Sequence, residues 1–234
     1  MITTLIAFAS LAMAAIEDAD PATISTPTLQ VPSCSSKTSL ATIHYSHSVP
    51  DKAAFPPTEV ALCYTDTHIA LALTARNETS FFFNASQTTN DEIWRYEVME
   101  AFISLGSTDP SIYLEFEVSP NNITYQAMVY NPSKTREEGA AFDHFFITEP
   151  AKDGFIEVDT LTDRSQAVWI SSVKIPIALW NLDAGEAKGS KWRMNFFRTV
   201  TDEGLYPDQK LGGWSVPDRA SFHMTPFFGH VRFV

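Results

Sequence analysis

The 234-residue sequence predicts an all-β protein, a single jelly-roll-like β-sandwich with one short helix. Many short segments rich in β-branched and aromatic residues are separated by turn residues, as is typical of sandwiches. The segment 112–118 alternates strictly, with apolar residues on one face and Tyr113, Glu115 and Glu117 on the other. Hydrophobic residues make up 44% of the chain, which is enough for one large core.

The N-terminal segment predicts secretion. Residues 1–14 carry a short apolar stretch that ends in a small-x-small pattern, as in a signal peptide cleaved after Ala14. The stretch is too short to span a bilayer as a helix. We therefore expect an extracellular protein.

A Pro-, Ser- and Thr-rich stretch follows at 15–38, and we expect it to be an extended leader to a sandwich at 39–234. The chain has two cysteines, Cys34 and Cys63. In an oxidising compartment they predict one disulfide, which would stabilise the fold by roughly 3–4 kcal/mol.

Strand-like segments then follow one another to the C-terminus, separated by turn residues. In chain order they are ATIHYS, TEVALCYT, HIALALTA, SFFFN, SIYLEFEVSP, NITYQAMVY, GFIEVDTL, QAVWISSVKI and KWRMNFFRTV. The short helix is predicted around residues 175–183, where Pro176 can occupy a first helical turn.

Surface features restrict the partners. Three sequons predict glycosylation at Asn77, Asn84 and Asn122, which agrees with secretion. The net charge of −12 argues against nucleic acid and anionic membranes, because both would repel the protein.

Paired carboxylates could carry chemistry. Glu115 and Glu117 share a strand face, and we interpret that face as solvated. A glycosidase or lyase using Glu100, Glu115 or Glu117 remains an alternative, because glycoside hydrolysis needs two carboxyl groups at a set separation. Glu97 is predicted to face the side of its strand opposite to Glu100.

Two cofactor hypotheses also follow from the residues. Asp91, Glu97 and Glu100 could supply oxygen ligands to a structural Ca²⁺. A Met/His pair, Met99 or Met128 with His223, could ligate a haem. The sequence contains no His-Glu-x-x-His, Cys-x-x-Cys or Gly-x-Ser-x-Gly motif.

One stretch, W-x-x-E-V-M-E-A-F-I at 94–103, resembles the W-x-x-D-x-V-E-[IV]-F-[IV] signature of carbohydrate-binding module family 9. Similar matches follow in the family's order over residues 40–234. They are YLEFEVSPNN, VKIPIALW, KWRMNFFR and SFHMTPFFGHVRF. The resemblance implies a secreted β-sandwich that binds a cell-wall poly- or oligosaccharide, and a link to carbohydrate catabolism.

The resemblance also implies site residues. Trp94 and Phe222 fall where the family places the two aromatic walls around a sugar ring. Glu100 matches a carboxylate that hydrogen-bonds sugar hydroxyls, and Asn195 lies on the matching Trp-Arg-x-Asn strand. Members carry Arg and Asn on the second strand, where this chain has Glu117 and Ser119, so Glu117 is the ligand contact expected here. Trp214, in a Gly-containing loop, is a further expected contact or a lid.

Overall fold

The structure is a computed structural model that describes residues 24–35, 40–147 and 156–234. The described chain forms thirteen strands and three short 3₁₀ helices, so the all-β prediction is confirmed. The strands are β1 (Thr28–Val31), β2 (Ala41–His47), β3 (Ala54–Tyr64), β4 (His68–Arg76), β5 (Val98–Leu105), β6 (Ile112–Val118), β7 (Thr124–Tyr130), β8 (Asp143–Phe146), β9 (Glu157–Asp163), β10 (Val168–Pro176), β11 (Lys191–Val200), β12 (Lys210–Gly213) and β13 (Gly229–Phe233). The 3₁₀ helices are Ile93–Arg95, Ile177–Trp180 and Thr225–Phe227.

Two sheets make up the sandwich. The larger sheet has the order β1-β13-β11-β5-β6-β7-β8, and β12 also pairs with β11. The smaller sheet has the order β2-β3-β4-β10-β9. Neighbouring strands are antiparallel except β1 and β13. Within the described residues, no helix is long and apolar enough to cross a membrane.

The main core lies between the sheets. Strand β6 contributes Leu114, Phe116 and Val118 to it, as its alternation predicts, and β10 of the opposite sheet contributes Trp169 and Val173. Burying these large side chains removes apolar area from water, which is the main force that holds two sheets together.

The outer face of the larger sheet is buried as well, and here the sequence interpretation was wrong. Glu115 is 7% exposed and Glu117 only 1% exposed, so their face is not solvated. Phe142, just before β8, and Phe222, in the loop after β12, pack on this face against an apolar cluster. That cluster consists of Phe102, Tyr113, Val129, Phe197 and Phe228.

The predicted leader contributes to the sandwich. β1 lies inside it and pairs in parallel with β13, so the ordered fold begins before residue 39. Strand pairing supplies backbone hydrogen bonds that an extended leader would leave to water. The predicted disulfide between Cys34 and Cys63 is confirmed and connects the chain after β1 to β3. The predicted signal peptide at 1–14 lies outside the described residues, as do residues 15–23 and 36–38 of the leader and residue 39 of the predicted sandwich.

The predicted short helix is a single 3₁₀ turn, Ile177–Trp180, within the predicted range. It ends at Asn181, whose φ of 57° places it in the left-handed region that Asn tolerates. Of the three sequon asparagines, Asn77 and Asn122 are exposed and Asn84 is half-buried.

Candidate functional site

A cavity of about 690 Å³ opens on the outer face of the larger sheet. Its floor includes the outward-facing side chains of β5, β6 and β7, and residues 219–224 form part of its wall. Four aromatic side chains line it, namely Trp94, Tyr125, Phe142 and Phe222. The space is large enough for a small ligand and combines apolar faces with converging polar groups.

Three carboxyl groups converge on the floor. Glu100 of β5 stands directly opposite Glu117 of β6, and Glu115 lies two residues earlier on β6. One oxygen from each lies within 4.8 Å of the others. Antiparallel pairing causes this convergence, because directly opposed residues bring their Cβ atoms close together on one face.

Burial governs the protonation of these groups. It raises the pKa of Glu115 to about 8, while Arg136 acts in the opposite direction. Burial also raises the pKa of Glu100 well above its usual range, with a further contribution from Glu115. The pKa of Glu117 is raised by burial and by both neighbouring carboxyl groups. Burial and mutual proximity therefore favour the protonated forms of these carboxyl groups, and a cation bound among them would favour the ionised forms.

His223 closes one side of the cluster as a neutral ring. Its Nδ1 shares a hydrogen bond of 2.8 Å with the Tyr113 hydroxyl. Burial, followed by Arg136 and His144, lowers the pKa of His223 to about 3. Its Nε2 lies 3.6 Å from Glu115 Oε1, but a neutral imidazole beside a protonated carboxyl group is not an ion pair.

The two predicted aromatic walls both line the cavity. Trp94 lies on the first 3₁₀ helix, edge-on to Tyr125 with ring centroids 5.3 Å apart. Its backbone carbonyl accepts a hydrogen bond from Gln209 Nε2. Phe222 stacks on Phe197 at 4.0 Å with an interplanar angle of 11°. Both side chains are half-buried, so each is positioned by packing and retains accessible surface.

Asn195 has a different place from the one expected. It is fully buried on β11, and its side-chain amide donates to the Ser215 carbonyl at 2.8 Å. Its Oδ1 accepts from the backbone N–H groups of Ser215 and Phe196. Since these bonds engage both ends of the amide, the geometry assigns Asn195 to holding the loop after β12.

Trp214 also lies away from the cavity. It is partly buried against the main core, with its ring centroid 6.0 Å from that of Phe196. A methyl group at Gly229 would lie 2.5 Å from the Trp214 ring, so the ring lies directly over that glycine. Close packing against the core, rather than ligand contact, explains its position.

The residues expected to bind Ca²⁺ lie apart, and Asp91 and Glu97 each accept hydrogen bonds from a different part of the chain. Asp91 accepts from the backbone N–H and the hydroxyl of Thr88 in an exposed turn. Glu97 is fully buried and accepts from the Phe82 N–H at 2.9 Å. Among the described residues, the group of three acidic or metal-ligating side chains that converges is Glu100, Glu115 and Glu117.

Glu97 and Glu100 lie on opposite faces of the larger sheet, as the odd difference between their positions predicts. Burial and Glu78 raise the pKa of Glu97 to about 8. Glu78 forms a buried ion pair of 2.8 Å with Arg198, which also donates to the Arg76 carbonyl at the end of β4. Glu97 therefore belongs to a polar cluster between the sheets, while Glu100 faces the cavity.

The haem hypothesis fails on geometry. Met99 lies in the main core between the sheets, and Met128 packs against the same core. His223 lies on the opposite face of the larger sheet, in the cavity. Neither methionine can therefore share a haem iron with His223.

Some cavity residues were not predicted, namely Tyr125, Arg136 and Phe142. The Arg136 guanidinium lies 4.4 Å from the centroid of the Phe142 ring. The position of Tyr125 could have been predicted by pairing the two neighbouring strands, because Tyr125 of β7 lies directly opposite Glu117 of β6. Arg136 and Phe142 lie outside the strands, where no periodicity indicates direction.

Comparison with known proteins places this geometry in a wider context. The chain is 54% identical over 208 residues to an extracellular protein of Arthroderma benhamiae, covering 89% of this chain and 91% of that protein. The chain belongs to the family of that extracellular protein. No model of a described protein family matches the sequence.

Solved structures share the fold of this family. A candidate carbohydrate-binding protein of Bacteroides uniformis superposes with a TM-score of 0.66 at 17% identity, covering 90% of this chain and all of that one. A family 9 carbohydrate-binding module of Caldicellulosiruptor kristjanssonii, solved with cellotriose, gives 0.53 at 10% identity, covering 88% and 93%. A family 9 module of the same organism, solved with glucose, gives 0.53 at 9% identity, covering 88% and 95%. At these identities the likeness concerns the fold, which is a sandwich of the same kind.

Proposed function

We propose that this protein is a secreted carbohydrate-binding module that holds one sugar ring of a cell-wall poly- or oligosaccharide between Trp94 and Phe222. The observation that carries the proposal is the presence of both aromatic side chains in one cavity whose floor bears three carboxyl groups. Aromatic faces cover the C–H patches of a pyranose, while carboxyl oxygens hydrogen-bond its hydroxyls.

The fold likeness supports the proposal. The solved family 9 modules are complexes with glucose and cellotriose, and their fold is the one found here. The family of the chain includes a protein described as extracellular, which supports a signal peptide at residues 1–14 and secretion. The disulfide between Cys34 and Cys63 is consistent with an oxidising compartment.

Binding suits this cavity better than catalysis. A glycosidase needs one carboxyl group to be ionised while its partner is protonated. Here burial raises the pKa of Glu100, Glu115 and Glu117 alike, which favours hydrogen bonding to sugar hydroxyls over the role of an ionised nucleophile or base.

A glycan array on the secreted protein tests the proposal. We expect wild-type protein to bind plant or fungal cell-wall oligosaccharides and Trp94→Ala to lose that signal. Leu161→Ala is the matched control, because Leu161 is an exposed apolar residue on β9 of the smaller sheet. Failure of the wild type to bind any glycan would contradict the proposal. Shortening of the bound oligosaccharide, abolished by Glu→Gln changes at the floor, would favour the enzyme alternative.

A further inference from the structure

The three carboxyl groups on the cavity floor form a convergent oxygen site. Glu100 and Glu117 are register partners, and Glu115 completes the set with one oxygen of each within 4.8 Å of the others. Carboxylate oxygens bound to one Ca²⁺ at about 2.3–2.6 Å lie at most about twice that distance apart. The observed separation therefore fits three ligands around one ion.

Glu117 points to a missing partner. It is 1% exposed and lines the cavity, and its Oε2 has no hydrogen-bond partner among the residues that the structure describes. An uncompensated buried carboxyl oxygen is costly, and such groups are normally paired or bound to a metal. The unpaired oxygen is independent of the proximity of the three groups and indicates a ligand in the cavity.

The neighbouring protein groups do not supply that partner. Among the described residues, no Lys or Arg forms a salt bridge with Glu100, Glu115 or Glu117. The Arg136 guanidinium is stacked over Phe142. The contact to Glu100 from Thr199 Oγ1 is long, at 3.4 Å. Within the described part of the chain, the floor therefore has acceptor capacity that no salt bridge to Lys or Arg fills, although Arg136 lines the same cavity.

We infer that Glu100, Glu115 and Glu117 bind a divalent cation of the Ca²⁺ class, with open coordination positions directed into the cavity. Three hard carboxylate oxygens suit Ca²⁺ better than Zn²⁺ or Cu²⁺, which favour imidazole and thiolate. The protein supplies three of the six to eight oxygens that Ca²⁺ takes, so water or ligand hydroxyls complete the shell. The ion site does not depend on the proposed function, although a bound sugar could share it.

Calorimetric titration of chelator-washed protein with CaCl₂ tests the inference. We expect saturable binding of one ion per chain and a rise in the thermal unfolding midpoint. Glu117→Gln keeps the shape of the side chain but cannot become a carboxylate, and should weaken Ca²⁺ binding by at least about tenfold. Glu157→Gln is the matched control, because Glu157 is an exposed carboxylate paired with Lys174 on the smaller sheet.

Two further measurements distinguish loss of the ion site from loss of folding and from occupation by an ammonium group. Glu117→Gln should unfold in chelator at the wild-type midpoint or above it, which shows that lost binding is not lost folding. Titration with glucosamine checks whether an ammonium group occupies the floor instead. Any of three results would overturn the inference. The wild type could fail to bind Ca²⁺, Glu117→Gln could bind Ca²⁺ as tightly as the wild type, or glucosamine could stabilise the protein where Ca²⁺ does not. The glycan array, run with chelator and with CaCl₂, separates failure of this inference from failure of sugar binding.

Discussion

Glu100 and Glu117 face each other across β5 and β6 with both carboxyl groups buried, at 3% and 1% exposure. Two buried carboxyl groups directly opposite each other are costly in a sheet, because each loses its hydration and would repel the other when ionised. The pair is nevertheless surrounded by aromatic side chains and opens into a cavity. A costly arrangement in a concave site agrees with the proposed binding role, since such groups cluster at functional sites.

Phe222 provides the second test of the aromatic walls. Phe222→Leu retains most of the apolar volume that packs on Phe197 but removes the flat face, so unfolding stability should change by less than about 1.5 kcal/mol. We expect sugar affinity to fall at least about tenfold, or about 1.4 kcal/mol. Calorimetry with the best array ligand measures the affinity. Phe222→Tyr keeps the ring and should bind like the wild type; equal affinity in Phe222→Leu would remove Phe222 from the site.

Asn195 should behave as a structural residue. Asn195→Ala leaves the Ser215 N–H and carbonyl without their partner, which should lower the free energy of unfolding by about 1–3 kcal/mol. Sugar affinity measured below the unfolding transition should stay within about twofold of wild type. Chemical denaturation and calorimetry on the same preparation distinguish the two effects. A large loss of affinity with unchanged stability would restore the ligand role that the family resemblance implies.

Glu97 predicts a pH dependence of stability. Its pKa is raised to about 8 in the folded state, so the folded protein binds this proton more tightly than the unfolded chain does. Its contribution is present at low pH and is lost as pH rises from about 4.5 towards 8, by at most about 1.4 kcal/mol per pH unit. Glu97→Gln retains the acceptor for the Phe82 N–H and cannot ionise.

Thermal unfolding of both proteins in chelator at pH 5 and pH 8 measures this effect. The variant should resemble wild type at pH 5 and be the more stable of the two at pH 8. A constant difference between the two proteins at both pH values would show that Glu97 does not titrate in this range.

The disulfide should contribute to stability without affecting the site. Replacing both Cys34 and Cys63 by Ala opens a link between positions 29 residues apart, which should cost about 3–4 kcal/mol. Urea denaturation measures the loss, and the glycan array should show unchanged specificity. Altered specificity in a variant that still folds would indicate that β1 and its connection influence the cavity.

The sequence was most informative where its periodicity reflects the local backbone. Strict alternation in β6 correctly placed Leu114 and Phe116 in the core and Glu117 on the opposite face. It could not show that this face is covered, because Phe142 and Phe222 reach it from loops distant in sequence. Burial of the carboxyl groups is thus a property of tertiary structure.

Loop residues explain the other differences. Trp214 follows two glycines, a pattern that indicates a turn but not which face its indole packs against. Asn195 lies on the expected strand, yet its partner is the Ser215 backbone, which no side-chain pattern reveals. The family resemblance identified Trp94 and Phe222 as a pair. Their common cavity depends on how the loops fold over the larger sheet, which the sequence pattern does not specify.

A crystal structure of the protein with its best array ligand would test the central claim most directly. We predict one pyranose ring between the Trp94 and Phe222 side chains, with its hydroxyls directed at the floor formed by Glu100, Glu115 and Glu117. A sugar bound elsewhere on the sandwich, with this cavity holding only water, would contradict the account.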